Sequence, residues 1–546
     1  MLELPESPSS TRRPQTRLRR YLKPAVLTLA VLGCVGYLVS TTQPTQTTHL
    51  TFESKALYSH SPPQSQDAFD FWNAFAAEIA KGKPSFEEIK YVKDSDPPWF
   101  AFKDLLGDEK RPDRLDMSRR EVEEMKRAHQ AAVSDFRALG PRLPFVKGTR
   151  GIVTTANMDA MAILTTALMM LRKVGSKLPV EVWLYNRAEY EESIYMCENV
   201  FKPLNAHCMI MLESLPEKMD YPYEVSNKFM FKLDAILFST YEQILFLDCD
   251  LFPVTNPDSI FTNEPFLSTG AVLWPDHWAL TSAPQLYEIT GREQLNMTAR
   301  ASTESGAMLI NKNTHAEALL LATFYNYWGP KHYYRLLSQG ASGEGDKDTY
   351  LPALEVYKLP FYQVAEPPQR IGYRCNGGTR AIASGQAHPH DDLLLTSNEI
   401  WRNQRDPFLT DTIPPRILFV HANLPKPDAA MILDWRPERL NWYDMLRCDD
   451  GKGKAHRMWG PKEITVIKYG WDVEKAIWDS MRWTACTHGH GITYWVNGTW
   501  HSKPRPNACR DILAFYDELL PDETYDPTIP STKVPELPWG AKLHVQ

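Results

Sequence analysis

The chain has 546 residues, room for one large domain or two to three smaller ones. It is 43% hydrophobic and 23% charged, ordinary for a globular protein. The net charge of −7 argues against a nucleic-acid partner, which would favour a basic face.

The first 23 residues hold Arg12, Arg13, Arg17, Arg19, Arg20 and Lys23 against Glu3 and Glu6, and read as a cytoplasmic tail. Residues 24–40 carry no charge and are mostly apolar, near the short limit for a membrane span. The basic residues before the run put everything after it on the far side of the membrane. The leading hydrophilic segment is long, and no clear small-x-small site follows. The run therefore reads as an uncleaved signal anchor rather than a cleaved signal peptide. Residues 41–66, rich in Thr, Ser, Gln and Pro, read as a stem that buries no core. Residues 67–149 read as an amphipathic helical region, broken at Asp96-Pro97-Pro98 and Lys110-Arg111-Pro112.

From Arg150 the pattern changes. Gly151–Thr155 reads as a strand, Met158–Val174 as an apolar helix closed by Gly175, and Val180–Tyr185 as a second strand. A helix around Glu189–Phe201, a strand at Cys208–Leu212 and a helix from about Ser226 to Thr240 follow. That helix leads into the apolar run Ile244–Leu247, a buried strand. Ser268–Leu273 and Ala307–Ile310 read as strands, and Thr314–Tyr327 as a helix. Asp346–Tyr357 reads as a helix that Pro352 kinks or stops early. Arg416–Val420 is a late strand ending at His421. Strand and helix alternating at this spacing predict an α/β domain over 150–430, with a mostly parallel sheet covered by helices. Residues 431–546 read as a C-terminal extension packed on that core.

The first strand-helix junction has no Gly-x-Gly-x-x-Gly run, and no Gly-Lys-Ser/Thr phosphate loop occurs anywhere. A bound nucleotide would need a metal and scattered side chains to hold its phosphates. There are eight Cys and no Cys-x-x-Cys zinc pattern. An oxidising lumen permits disulfides among Cys197, Cys208, Cys375, Cys448, Cys486 and Cys509, without the spacing giving their pairing. Asn296-Met-Thr298 and Asn497-Gly-Thr499 are glycosylation sequons on the same predicted side.

The chemistry centres on Asp248-Cys249-Asp250, directly after the buried strand. A strand end is where an α/β sheet places its ligand crevice. Side chains at i and i+2 share one side of an extended segment, so Asp248 and Asp250 can converge on one hard divalent cation. Cys249 would then point the other way, into the core. His421 can add an imidazole to the two carboxylates, a set that suits Mn²⁺ or a similar ion. Lys426 follows it as a point charge for a phosphate. Lys232, on the helix before the Asp strand, carries an apolar face that fixes it against the sheet, within reach of a diphosphate. In Ser338–Thr349 three glycines are interleaved with Glu344, Asp346 and Asp348. These acids fit helix caps, and they also fit the orientation of sugar hydroxyls. Glu304-Ser-Gly-Ala307 is a second segment of that kind.

Ser268–Trp278, Glu304–Lys312, Leu337–Lys347 and Phe419–Lys426 together resemble the fungal family-71 glycosyltransferases, Golgi α-mannosyltransferases acting on mannan and N-glycan outer chains. The resemblance runs from about Gly151 to Pro427 and includes the single N-terminal span. It implies a GT-A fold, GDP-mannose as donor, a divalent cation (usually Mn²⁺) and retention of anomeric configuration. It further implies a mannose-containing glycan acceptor, a Golgi membrane location and a possible mannosyltransferase complex. On this chain Asp248 and Asp250 would hold the metal, with His421 third by similarity to related retaining enzymes. Lys232 and Lys426 meeting the diphosphate is an inference from the residues themselves. Candidate catalytic carboxylates are Glu304, Glu344 and Asp346, with Asp276 beside them. The quoted stretches look closer to the α-1,2 branch-initiating members. An α-1,3-mannosyltransferase, or a non-catalytic lumenal glycan-binding or scaffold subunit, remains the alternative. A glycosidase is a third reading, but a metal-like Asp pair is foreign to most such sites.

Overall fold

The computed structural model describes residues 65–107, 109–215, 229–375, 378–397, 414–423, 425–433, 446–447, 454–498 and 504–526. The predicted tail and span, and the stem up to residue 64, lie outside them. Among the described residues no helix is long and apolar enough to cross a membrane.

The main sheet is built from β1 (Val146–Thr155), β2 (Val180–Leu184), β3 (Ala206–Ile210), β4 (Tyr241–Leu247), β6 (Ala271–Ala279), β7 (Ala301–Asn311) and β8 (Tyr362–Gln363). Its order is β8-β6-β7-β4-β1-β2-β3. β1 pairs in parallel with β2 and β4, and β2 with β3. β7 runs antiparallel between β4 and β6. This is the α/β, parallel-rich sheet expected from the sequence. A smaller antiparallel sheet has the order β9-β10-β11-β5, from β9 (Gln369–Cys375), β10 (Gly378–Ala387), β11 (Ile417–His421) and β5 (Leu251–Pro253).

The period of two along a strand sorts the core. Leu245 and Leu247 of β4 enter one hydrophobic cluster with Val180 and Val182, while Ile244 and Phe246 enter a second with Val153 and Trp183. On the first side lies α3 (Met161–Lys173), buried from Met161 to Arg172 and covered in turn by α9 (Val473–Trp483). A helix apolar on every face needs such cover. On the second side lie α5 (Met230–Phe238) and α6 (Lys312–Tyr327), backed by α1 (Gln66–Lys81) and α2 (Arg119–Leu139). Cys197 is bonded to Cys208, and Cys486 to Cys509.

Several boundaries depart from the sequence reading. Residues Phe266–Thr269 form a helical turn, and the strand starts only at Ala271, because Gly270 reverses the chain at φ +67°. A Cβ there would meet His315 Cε1 at 2.7 Å. β7 reaches back to Ala301 through Ser302, Thr303 and Glu304, polar residues ahead of the strand start expected at Ala307. Pro352 neither kinks nor stops its helix. It falls in the first turn of α7 (Tyr350–Tyr357), where its missing N–H costs nothing. The β9–β10 hairpin was not visible in the sequence pattern. A bulge at Ile371/Gly372 breaks its register, and a Cβ on Gly372 would overlap the Arg380 carbonyl at 1.7 Å.

Candidate active site

Strand β4 ends at Leu247 and β5 starts at Leu251, so Asp248-Cys249-Asp250 carries the chain from the large sheet into the small one. The Asp248 N–H donates to the Gly306 carbonyl at 2.8 Å, and the Leu251 N–H to the Asp248 carbonyl at 3.0 Å. Cys249 packs against the first hydrophobic cluster, and burial pushes its thiol up to about 12. The carboxylates on either side face the crevice. β11 pairs with β5 so that His421 lies opposite Leu251, and the next N–H, of Ala422, donates to the Asp250 carbonyl at 3.0 Å. The small sheet thus sets His421 beside the Asp pair.

One ligand atom each from Asp248, Asp250 and His421 lies within 4.8 Å of the others. A small divalent ion bonds oxygen and nitrogen at roughly 2.1 Å, so opposed donors need only a slight closing movement. Two carboxylates and an imidazole form a fitting donor set for Mn²⁺ or a similar ion. The surrounding charges agree. Glu304 and Asp346 bring the carboxylates to four, against Lys232, Lys426 and His421. A dication would offset that excess of acid.

Lys232 reaches Asp248 Oδ1 and Asp346 Oδ2, both at 3.2 Å, and donates to the Ser305 carbonyl at 2.7 Å and its hydroxyl at 3.0 Å. Burial pulls its ammonium down, but Asp248, Asp346 and Glu304 outweigh this and hold it above its ordinary range. Lys426 contacts Asp250 Oδ2. His421 Nε2 is 3.4 Å from Asp250 Oδ2, and its Nδ1 is 3.3 Å from Glu304 Oε1. Glu304 also accepts the Gly306 N–H at 2.5 Å. Burial pushes the Glu304 carboxyl up, but His421 and that N–H prevail and bring it to about 2.

The structure therefore gathers Asp248, Asp250, His421, Lys232, Lys426, Glu304 and Asp346 into one cluster. Glu344 stands apart. Its carboxylate accepts from Ser338 Oγ at 2.5 Å, Gly340 N at 2.7 Å and Tyr91 Oη at 3.4 Å, closing the glycine-rich loop. Asp276 is paired with Lys347 at 2.7 Å. Asp348 accepts from Ser302 Oγ at 2.8 Å. Ser305, Gly306 and Tyr350 went unassigned in the sequence. Ser305 binds Lys232 through backbone and hydroxyl, and the Tyr350 hydroxyl donates to Asp346 at 3.4 Å. The Glu304-Ser-Gly segment was visible, but not which member touched what.

A parallel-rich sheet with one antiparallel inner strand, and a carboxylate pair at a strand end, form the arrangement expected of a glycosyltransferase of the GT-A class. A family model described as "Mannosyltransferase putative" matches residues 149–300 and 292–388. The chain is 29% identical to alpha-1,2-mannosyltransferase MNN21 of Candida albicans, covering 78% of this chain and 71% of that protein. It is 32% identical to alpha-1,2-mannosyltransferase MNN2 of Saccharomyces cerevisiae, covering 49% of this chain and 50% of that one. The chain thus spans from half to about seven-tenths of these relatives. Among solved structures, mouse xyloside xylosyltransferase 1 is 14% identical with a TM-score of 0.27, covering 39% of this chain and 84% of that one. That likeness is too slight to carry weight. Over about half to nearly four-fifths of its length the chain is thus similar to fungal alpha-1,2-mannosyltransferases.

Proposed function

We propose that this chain transfers mannose from GDP-mannose to a mannose hydroxyl of a glycan, in α-1,2 linkage and with retention, as a single-span Golgi membrane enzyme. The observation that carries the reading is the convergence of Asp248, Asp250 and His421 within 4.8 Å, with Lys232 and Lys426 on the same two carboxylates. A pure glycan binder has no need of that set.

Asp248, Asp250 and His421 would hold the divalent cation. When bound, the ion neutralises charge on the diphosphate. Lys232 turns from Asp248, and Lys426 from Asp250, toward the diphosphate oxygens, where negative charge grows as GDP departs. Asp346 and Ser305 keep Lys232 aimed at the crevice. Glu304 orients His421 through Nδ1, leaving Nε2 toward the Asp pair. None of the three candidate carboxylates acts as a nucleophile in this scheme. Glu344 is engaged by its own loop, Asp346 by Lys232, and Glu304 by His421 and Gly306. The acceptor hydroxyl then attacks from the leaving-group face, and the diphosphate takes its proton. The transition state is oxocarbenium-like, as in glycoside chemistry generally.

The test is incubation of the full chain with Mn²⁺, a panel of nucleotide sugars and a mannose acceptor, followed by determination of the product linkage. Release of GDP from GDP-mannose with an α-1,2 product is expected. A different donor preference, or an α-1,3 product, would replace the corresponding part of the assignment. No GDP release and no metal-dependent GDP binding would mark a scaffold subunit.

A further inference from the structure

Beside the charged cluster lies a second recess, a cavity of about 480 Å³. Its walls include Phe102, Asp276, His277, Phe361, Gln363 and Arg370. The register of β6 and β7 fixes its position. Trp274 lies opposite Glu304 and Pro275 opposite Thr303, so the cavity wall begins one residue along the strand from the cluster. A chain of contacts joins the two recesses. Asp276 pairs with Lys347 at 2.7 Å, and the adjacent Asp346 with Lys232 at 3.2 Å.

An aromatic pair continues the cavity wall in sequence. Trp99 is 62% exposed, and the Trp278 ring, next to His277, meets its ring edge to face with centroids 5.8 Å apart. Ala101 bridges to Trp278, and the Ala279 N–H donates to the Phe100 carbonyl at 2.9 Å, so the segment bearing Trp99 is pinned to β6. An indole held outward on a fixed backbone leaves apolar area in water and serves no core. A pyranose presents a C–H face and a hydroxyl edge. Indole and phenyl faces match the first. Asp276, Gln363, His277 and Arg370 supply acceptors and donors for the second.

We propose that this cavity and the Trp99 platform form the acceptor site, which reads at least two consecutive sugars of a neutral oligosaccharide. One sugar sits in the cavity, toward the cluster, and the next stacks on Trp99. The identity of the sugar as mannose rests on the function proposed above.

The experiment compares the full-length protein with Trp99→Ala and Trp99→Phe, using methyl α-mannoside and α-linked mannotriose as acceptors. Trp99→Ala is expected to raise the KM for mannotriose about tenfold, the worth of one aromatic contact. The KM for the monosaccharide should rise less than twofold, and Trp99→Phe should recover most of the loss. A loss equal for both acceptors, or none for mannotriose, overturns the proposal. Calorimetric titration with mannotriose, without donor, separates the groove from the reaction. If the wild type turns over no donor, a signal lost in Trp99→Ala still upholds the groove, and no signal in the wild type overturns it. Preference for a phosphorylated saccharide that vanishes with salt also overturns it, since the site would then be one for anions.

Discussion

A methyl group on Gly306 would lie 2.7 Å from Glu304 Oε1 and 3.0 Å from His421 Cε1. Such contacts are too close to keep, so an added methyl must displace the Glu304 carboxylate and crowd the imidazole. Gly306→Ala should tilt the imidazole, cutting transfer at least tenfold while costing about 1–2 kcal/mol of stability. Steady-state rates and a urea melt on the same preparation check both halves. Asp248→Ala and Asp250→Ala should each cost at least 100-fold in transfer, the scale of losing one preorganised electrostatic element. Near-wild-type turnover in either, with far-UV circular dichroism unchanged, would end the metal assignment. The residues named first were legible because each stands at an end that topology must place in the crevice. Asp248 and Asp250 follow a buried strand, His421 closes another, and Lys232 has an apolar helix face to fix it. The partners of Glu304 and Glu344 were not legible. Both are acids in glycine-rich text, and only the pairing of β7 with β4 and β6 decides that one meets His421 while the other closes a loop.

At the scale of elements, the contact between α2 and α6 carries a pH dependence. His129 Nε2 is hydrogen-bonded to the Tyr325 hydroxyl at 2.8 Å. Burial, then the charge of Arg292, pushes His129 from 6.5 down to about 3. Between those values the unfolded chain binds a proton that the folded chain refuses. Stability is therefore lost as the pH falls below about 6.5, at up to about 1.4 kcal/mol per pH unit. His129→Gln should flatten the fall between pH 7 and 4.5 by about 2.5 kcal/mol, measured by urea unfolding at each pH. A wild-type slope retained in the variant would assign the effect to other groups. Elements with a strong period were legible to within a few residues. One that failed has a tertiary cause: Ser302–Glu304, polar yet strand, are paid for by tertiary partners such as Asp348, which no local pattern announces. The β9–β10 hairpin was missed for a local reason, since Gly372 interrupts the strand period and marks a bulge in the structure.

For the whole molecule, two cores meet across one sheet, and the C-terminal extension completes the first of them with Trp478, Met481 and Phe515. The Trp471 Nε1–H donates to the Val254 carbonyl at 3.0 Å, tying the extension to the end of β5. Cys486–Cys509 closes a loop spanning a sequence separation of 23 residues. The Cys486→Ser/Cys509→Ser protein should lose about 3 kcal/mol, seen as a lower midpoint in thermal unfolding. An unchanged midpoint would show that packing alone holds the extension.

One tyrosine of that extension, Tyr494, contacts the buried carboxylate of Asp428, which also accepts the Ala430 N–H at 2.8 Å and the Met431 N–H at 3.1 Å. Asp428 stands two residues beyond Lys426. A chain made from its N-terminus completes both sheets, and Lys426 itself, before Tyr494 exists. The proposed phosphate-facing loop therefore gains its Tyr494 anchor only after both sheets are complete. The maturing chain would carry two finished sheets and a lysine held by Asp250 alone, a built-in delay between folding and competence.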